Sequence, residues 1–276
     1  MKSLLRSAVV LALLGAGAAQ AATITVTSVG TMPTANSWYL TNFRGTSNGY
    51  TSNTFAGITN ANPRNGNGSV EMSSTDGSGK ADFAYSWGFV SGRTLGNVDV
   101  VGLDWFRAAG SSAPHLAPAM RLWYDADGNQ NTAGDRGYLI WEQVYNGATI
   151  QNAWVSSDLE DDYWWQRKFS PVGTTVEDYD MTLDAWAAGT TPVTPTPQPF
   201  DRLSTSTAIL GIEFGIGSGW AGTFRGFVDN VRIGFTGEET MNFNFETAGA
   251  QVPEPASLAL LGLGALGFAA RRRKQK

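Results

Sequence analysis

The sequence predicts an all-β fold: a two-sheet antiparallel β-sandwich of the jelly-roll kind, with a barrel closed around a lumen as the alternative. Three observations carry this. Apolar and polar residues alternate with period two in segment after segment, turn signals recur at short intervals, and almost nothing reads as helix. About ten to twelve strands follow from that pattern, enough for two packed antiparallel layers.

In chain order, Thr23 to Val29 alternates Thr23, Thr25 and Thr27 with Ile24 and Val26, and Ser37 to Phe43 follows as a second strand. Residues 45–68 turn to Gly, Asn, Ser and Thr, which predicts a long surface loop or a pair of weak strands around Phe55 and Ile58. Strands resume at Ser69 to Ser73, Asp82 to Phe89 and Val98 to Arg107, where Val101, Leu103 and Trp105 share a face. Met120, Leu122 and Tyr124 line the next strand, which runs into Asp125-Ala126-Asp127-Gly128-Asn129. Tyr138 to Tyr145 is apolar on both faces and predicts a central strand. Asn152 to Ser156 and Tyr163 to Phe169 are shorter and aromatic-rich.

The one short helix has Thr182 as N-cap, Leu183 to Ala188 as body and Gly189 as its C′ residue. Prolines 192, 195, 197 and 199 keep residues 190–199 out of helix and central strand, so this stretch is a loop within the domain. The last three strands are the most regular: Leu210, Ile212, Phe214 and Ile216; Phe227, Val231, Ile233 and Phe235; Met241, Phe243 and Phe245.

Both chain ends stand apart from this domain, which spans residues 22–251. Lys2 and Arg6 precede an apolar run from Ala8 to Ala19, and Ala19-Gln20-Ala21 has the small-x-small pattern that signal peptidase cuts, so residues 1–21 read as a secretory signal helix. Without the ends the domain holds 12 basic against 23 acidic residues, a balance that argues against nucleic acid and anionic lipid as partners and is compatible with divalent cations and neutral glycans. There is no cysteine, so the exported domain is held by its core and thiol chemistry is excluded.

Residues 252–276 contain Pro253-Glu254-Pro255, an apolar segment over 256–270 and a basic end over 271–276 that includes Arg271, Arg272 and Arg273. Fifteen helical residues reach about 22 Å, short of the roughly 30 Å hydrocarbon core, which suits transient membrane insertion better than a permanent anchor. The arrangement resembles the PEP-CTERM sorting signal of exported Gram-negative proteins. That resemblance implies recognition by an exosortase, cleavage near the Pro-Glu-Pro, and a destination at the cell surface or in an extracellular matrix rich in polysaccharide, as in a biofilm. Five phrases, Tyr138-Leu139-Ile140-Trp141-Glu142, Tyr145-Asn146-Gly147, Trp186-Ala187-Ala188-Gly189, Gly217-Ser218-Gly219-Trp220 and Phe227-Val228-Asp229-Asn230-Val231, make the stretch from Asp104 to Phe245 similar to exported PEP-CTERM proteins of unassigned activity.

Candidate chemistry is sparse. Asp125, Asp127, Asn129, Asn131 and Asp135 place alternate oxygen side chains on one loop, the pattern by which a hard cation such as Ca²⁺ collects its ligands; a solvated Gly/Asn-rich turn is the alternative. It is no EF-hand, because Gln130 and Arg136 stand where that loop needs Gly and Glu. Trp154, Trp164 and Trp165 are the candidates for stacking on pyranose rings, and the adjacent pair Trp164-Trp165 must point to opposite faces of its strand. No catalytic set emerges: Asp158, Glu160, Asp161 and Asp162 cluster only in sequence, and His115 is the sole histidine. The preferred expectation is a non-catalytic surface or matrix protein associated with polysaccharide. A polysaccharide-active hydrolase or lyase, and a purely structural protein, are the alternatives; release of reducing sugar separates enzyme from binder.

Overall fold

The computed structural model describes residues 23–44, 53–170, 174–193, 199–217, 220 and 222–249. The expected signal peptide with Ala19 and Ala21, the tail with Pro253, Glu254, Pro255, Arg271, Arg272 and Arg273, and part of the proline-rich stretch lie outside them.

Among the described residues, fourteen strands form two seven-stranded sheets. The first is built on β13 (Phe224–Phe235), whose one side carries β6 (Val98–Arg107) and then β9 (Trp154–Asp158). Its other side is shared by two shorter pairs. β4 (Ser69–Ser74) with β3 (Thr54–Thr59) takes one half, and β14 (Met241–Phe245) with β1 (Thr23–Val26) takes the other. The second sheet runs β11 (Thr175–Val176), β10 (Trp164–Lys168), β8 (Arg136–Trp141), β7 (Ala119–Asp125), β12 (Ala208–Ile216), β5 (Ala81–Ser86), β2 (Trp38–Thr41). It is open, with β11 and β2 at its edges, so no barrel closes.

Where β13 changes neighbours, its register against β6 skips between Asp229 and Arg232 and Asn230 turns to φ 47°. The buried Asp229 carboxylate serves backbone donors around this break: Oδ1 accepts Phe245 N–H at 2.9 Å and Oδ2 accepts the N–H of the loop residue Asn65 at 3.2 Å. One pairing departs from the antiparallel expectation. β1 lies parallel to β14, which is open to it because these strands come from opposite ends of the described chain and no hairpin sets their direction.

The core between the sheets is aromatic. Trp38 packs edge-on against Phe243 and Phe245, with ring centroids 5.2 Å away in each case. Among the buried indoles, Trp141 Nε1 donates to Asp162 Oδ2, Trp164 Nε1 to the Leu159 carbonyl and Trp186 Nε1 to the Trp164 carbonyl, whereas Trp38 Nε1 has no partner among the described residues. The helix α1 (Leu183–Ala187) starts where Thr182 Oγ1 accepts the Ala185 N–H and ends ahead of Gly189 at φ 70°. β8 is central, between β7 and β10, but it stops at Trp141; Gln143–Tyr145 is a 3₁₀ turn rather than the continued strand its apolar residues suggest. Of the weak pair expected around Phe55 and Ile58, the described part shows one strand, β3.

Candidate functional site

Strand alternation in the second sheet sends Ile212, Phe214, Met120, Leu122, Leu139, Trp141 and Trp164 into the core. The alternate residues therefore face outward. On β12 these are Gly211, Glu213 and Gly215, on β7 Arg121 and Trp123, on β8 Tyr138 and Ile140 with Glu142 just beyond, and on β10 Trp165 and Arg167. Register places Glu213, Arg121, Ile140 and Trp165 in one row across four strands.

A cleft of about 470 Å³ opens over this row. Its walls include Trp165, Tyr138, Phe169 and Trp220, and Arg121 with Glu213 form its floor. Glycines on the same face of β12 let β5 approach closely: an added Cβ at Gly215 would collide with Asp82 Oδ1, and one at Gly211 would lie 2.7 Å from the Tyr85 carbonyl.

The floor is an ion cluster. Arg121 Nη1 donates to Asp82 Oδ1 at 2.7 Å and to Glu213 Oε1 at 2.6 Å, with all three side chains buried. Lys80 Nζ and Asn42 Nδ2 reach Asp82 Oδ2 from the rim at 3.2 and 3.0 Å. Burial opposes the Arg121 charge, yet the two carboxylates hold it protonated beyond the usual arginine range. Burial and then the Asp82 charge push the Glu213 carboxyl up, with Arg121 and Lys80 pulling against them. Burial likewise raises Glu142, opposed by the hydrogen bond from Trp165 Nε1 to its Oε2 at 3.1 Å and by the Arg121 charge. The arrangement offers flat rings beside fixed donors and acceptors, the combination that holds a sugar by its apolar face and its hydroxyls.

The three tryptophans suggested by the sequence do not form one site. Trp165 is on the cleft. Trp164 is a correction: it is fully buried with its indole N–H spent on Leu159, so no ring can stack on it. Trp154 sits on the outer face of the other sheet, 5.8 Å from the Phe106 ring and under the Arg64 guanidinium, and shares no row with Trp165. The oxygen loop also divides. Asp125, Asp127 and Asp135 each bring a carboxylate oxygen within 4.8 Å of the others, whereas Asn129 Oδ1 accepts the Asn131 N–H and Nδ2 and closes on that residue.

Sequence reasoning missed Asp82, Arg121, Tyr138, Glu142 and Glu213 as site residues. A charged residue at an outward strand position between two glycines, as Glu213 is, or between core residues, as Arg121 is between Met120 and Leu122, was the available signal. The acidic run is structural where it is bonded: Glu160 Oε1 accepts the Val101 N–H and Asp158 pairs with Arg232.

No curated protein matches this chain. Among solved structures, a family 11 carbohydrate-binding module from Clostridium thermocellum, in complex with a β-1,3-1,4-mixed-linked tetrasaccharide, is similar at 12% identity, 70% coverage of this chain, 84% of that chain and a TM-score of 0.32. An exo-β-agarase is similar at 16% identity, 68% coverage of this chain, 23% of that chain and a TM-score of 0.33. The tail gives the one assignment: residues 251–274 match the PEP-CTERM protein-sorting motif, so the chain carries the sorting signal of exported, exosortase-processed proteins of Gram-negative bacteria.

Proposed function

We propose that this protein is a cell-surface or extracellular-matrix component that binds polysaccharide in the cleft on its second sheet and does not turn it over. The observation behind this reading is the cleft itself: about 470 Å³, walled by Trp165, Tyr138, Phe169 and Trp220 above a fixed charged floor. That volume holds a few sugar units. The carboxylates nearest the floor are engaged, Glu213 by Arg121 and Glu142 by Trp165 Nε1, which suits orientation of hydroxyls more than proton transfer.

The test is affinity electrophoresis of the purified protein through gels containing neutral and acidic polysaccharides, including the polymer of the source cells. Retardation by at least one polymer, lost about tenfold in Trp165→Ala, is expected. Equal retardation of wild type and variant would remove the cleft as the site. Release of reducing sugar from a retarding polymer would favour the hydrolase reading, and unsaturated product absorbing near the ultraviolet would favour a lyase.

A further inference from the structure

The hairpin between β7 and β8 holds a separate group of side chains. Asp125, the last residue of β7, is fully buried, and its Oδ2 accepts Arg136 Nε at 2.7 Å. Its Oδ1 is buried and has no hydrogen-bond partner among the described residues. Asp135 repeats the pattern: Oδ2 accepts the Asp127 N–H at 3.0 Å, and Oδ1 is buried without a partner. Asp127 completes the group, anchored by the Asn129 N–H at 2.8 Å and Thr132 Oγ1 at 3.0 Å, both on Oδ1.

Three carboxylates with oxygens within 4.8 Å of one another repel, and one guanidinium faces one of them. Arg136 also spends Nη2 on the Gln130 and Thr132 carbonyls, at 3.2 and 2.9 Å. That leaves Oδ1 of Asp125 and Oδ1 of Asp135 as acceptors with nothing to accept, next to a third carboxylate. Buried acceptors of this kind need a cation or a structural water.

We propose that Asp125, Asp127 and Asp135 bind a Ca²⁺ ion, with water completing its oxygen shell. Only oxygen ligands are present, and they sit on a loop. A hard cation that tolerates irregular geometry and six to eight ligands suits this set better than magnesium, which demands a near-ideal octahedron. The ion ties the end of β7, which also carries Arg121 and Trp123, to the start of β8, where Arg136 pairs with Asp125 in the ladder. The inference stands apart from glycan binding, because the ion is held without any sugar.

Isothermal titration of the purified protein, stripped with EDTA and then dialysed free of it, tests this with CaCl₂ as the sole ligand. One equivalent of Ca²⁺ should bind, and at a free concentration about a hundredfold above Kd the melting temperature should rise by roughly 5–10 °C. Asp127→Asn changes an exposed residue and should fold while losing at least tenfold in affinity; Asp135→Asn should lose as much. MgCl₂ should bind more weakly than CaCl₂. Absence of both heat and thermal shift at about 10 mM Ca²⁺ overturns the site. So does an Asp127→Asn affinity equal to wild type, and Mg²⁺ binding as tightly as Ca²⁺ overturns the assignment of the metal.

Discussion

Trp165 donates its indole N–H to Glu142 Oε2 at 3.1 Å, so the ring that forms one wall of the cleft is held by a carboxylate on the neighbouring element. Glutamine at this position keeps an acceptor for the indole while removing the charge. Glu142→Gln should leave glycan affinity within about threefold, whereas Glu142→Ala should free the ring and weaken binding about tenfold.

The same pair has a pH signature. Burial raises the Glu142 carboxyl, so its contribution to stability is full below the unfolded value and declines as pH rises through the folded one. Glu142→Gln should therefore gain on wild type between pH 5 and pH 8 in urea unfolding. A difference that runs the other way would show that the charged form is the one the fold prefers.

Arg121 neutralises two buried carboxylates, and its removal exposes their cost. Arg121→Met should destabilise the protein by about 3–5 kcal/mol, because Asp82 and Glu213 remain buried without their shared partner. The deficit should shrink toward pH 5, where Glu213, already pushed up by burial, takes a proton. Adding Glu213→Gln to Arg121→Met should recover part of the loss at pH 8. Thermal unfolding of the single and double variants reads this directly, at roughly 2–4 °C per kcal/mol for a chain of this size; an additive double variant would mean the cluster is not coupled.

Strand existence was legible because one face of most strands is wet and the side-chain period is two. The alternation of Ile212, Phe214 and Ile216 against Gly211, Glu213 and Gly215 announces β12, and the adjacency of Trp164 and Trp165 announces that they part company. Strand partners were not legible. Asp82, Arg121 and Glu213 come from β5, β7 and β12, and they meet only because β12 lies between the other two, a long-range pairing that local periodicity does not encode. That Gly215 makes room for Asp82 was equally hidden, because the contact crosses from β12 to β5. The hairpin oxygens were legible as a set, but Asn129 and Asn131 bond to each other, a choice set by loop conformation.

Asp229 carries the last prediction. It is buried at the point where β13 exchanges β4 for β14, and burial pushes its carboxyl up to about 7 despite the backbone N–H groups of Phe245, Asn230 and Asn65, which favour the anion; Glu246 adds to the rise. An acid raised from an unfolded value near 3.9 stabilises fully below that value and progressively less as pH climbs to about 7. The slope is at most roughly 1.4 kcal/mol per pH unit. Asparagine offers one acceptor oxygen where aspartate presents two, so either Phe245 or Asn65 N–H then faces an NH₂ group, at a cost of about 1–3 kcal/mol. Asp229→Asn should consequently be much less stable than wild type at pH 5 and close to it at pH 8, where wild type has taken up the burden of a buried charge. Urea unfolding of both proteins at pH 5, 6.5 and 8 measures the gap; one that stays constant with pH would mean that Asp229 ionises as readily in the fold as outside it.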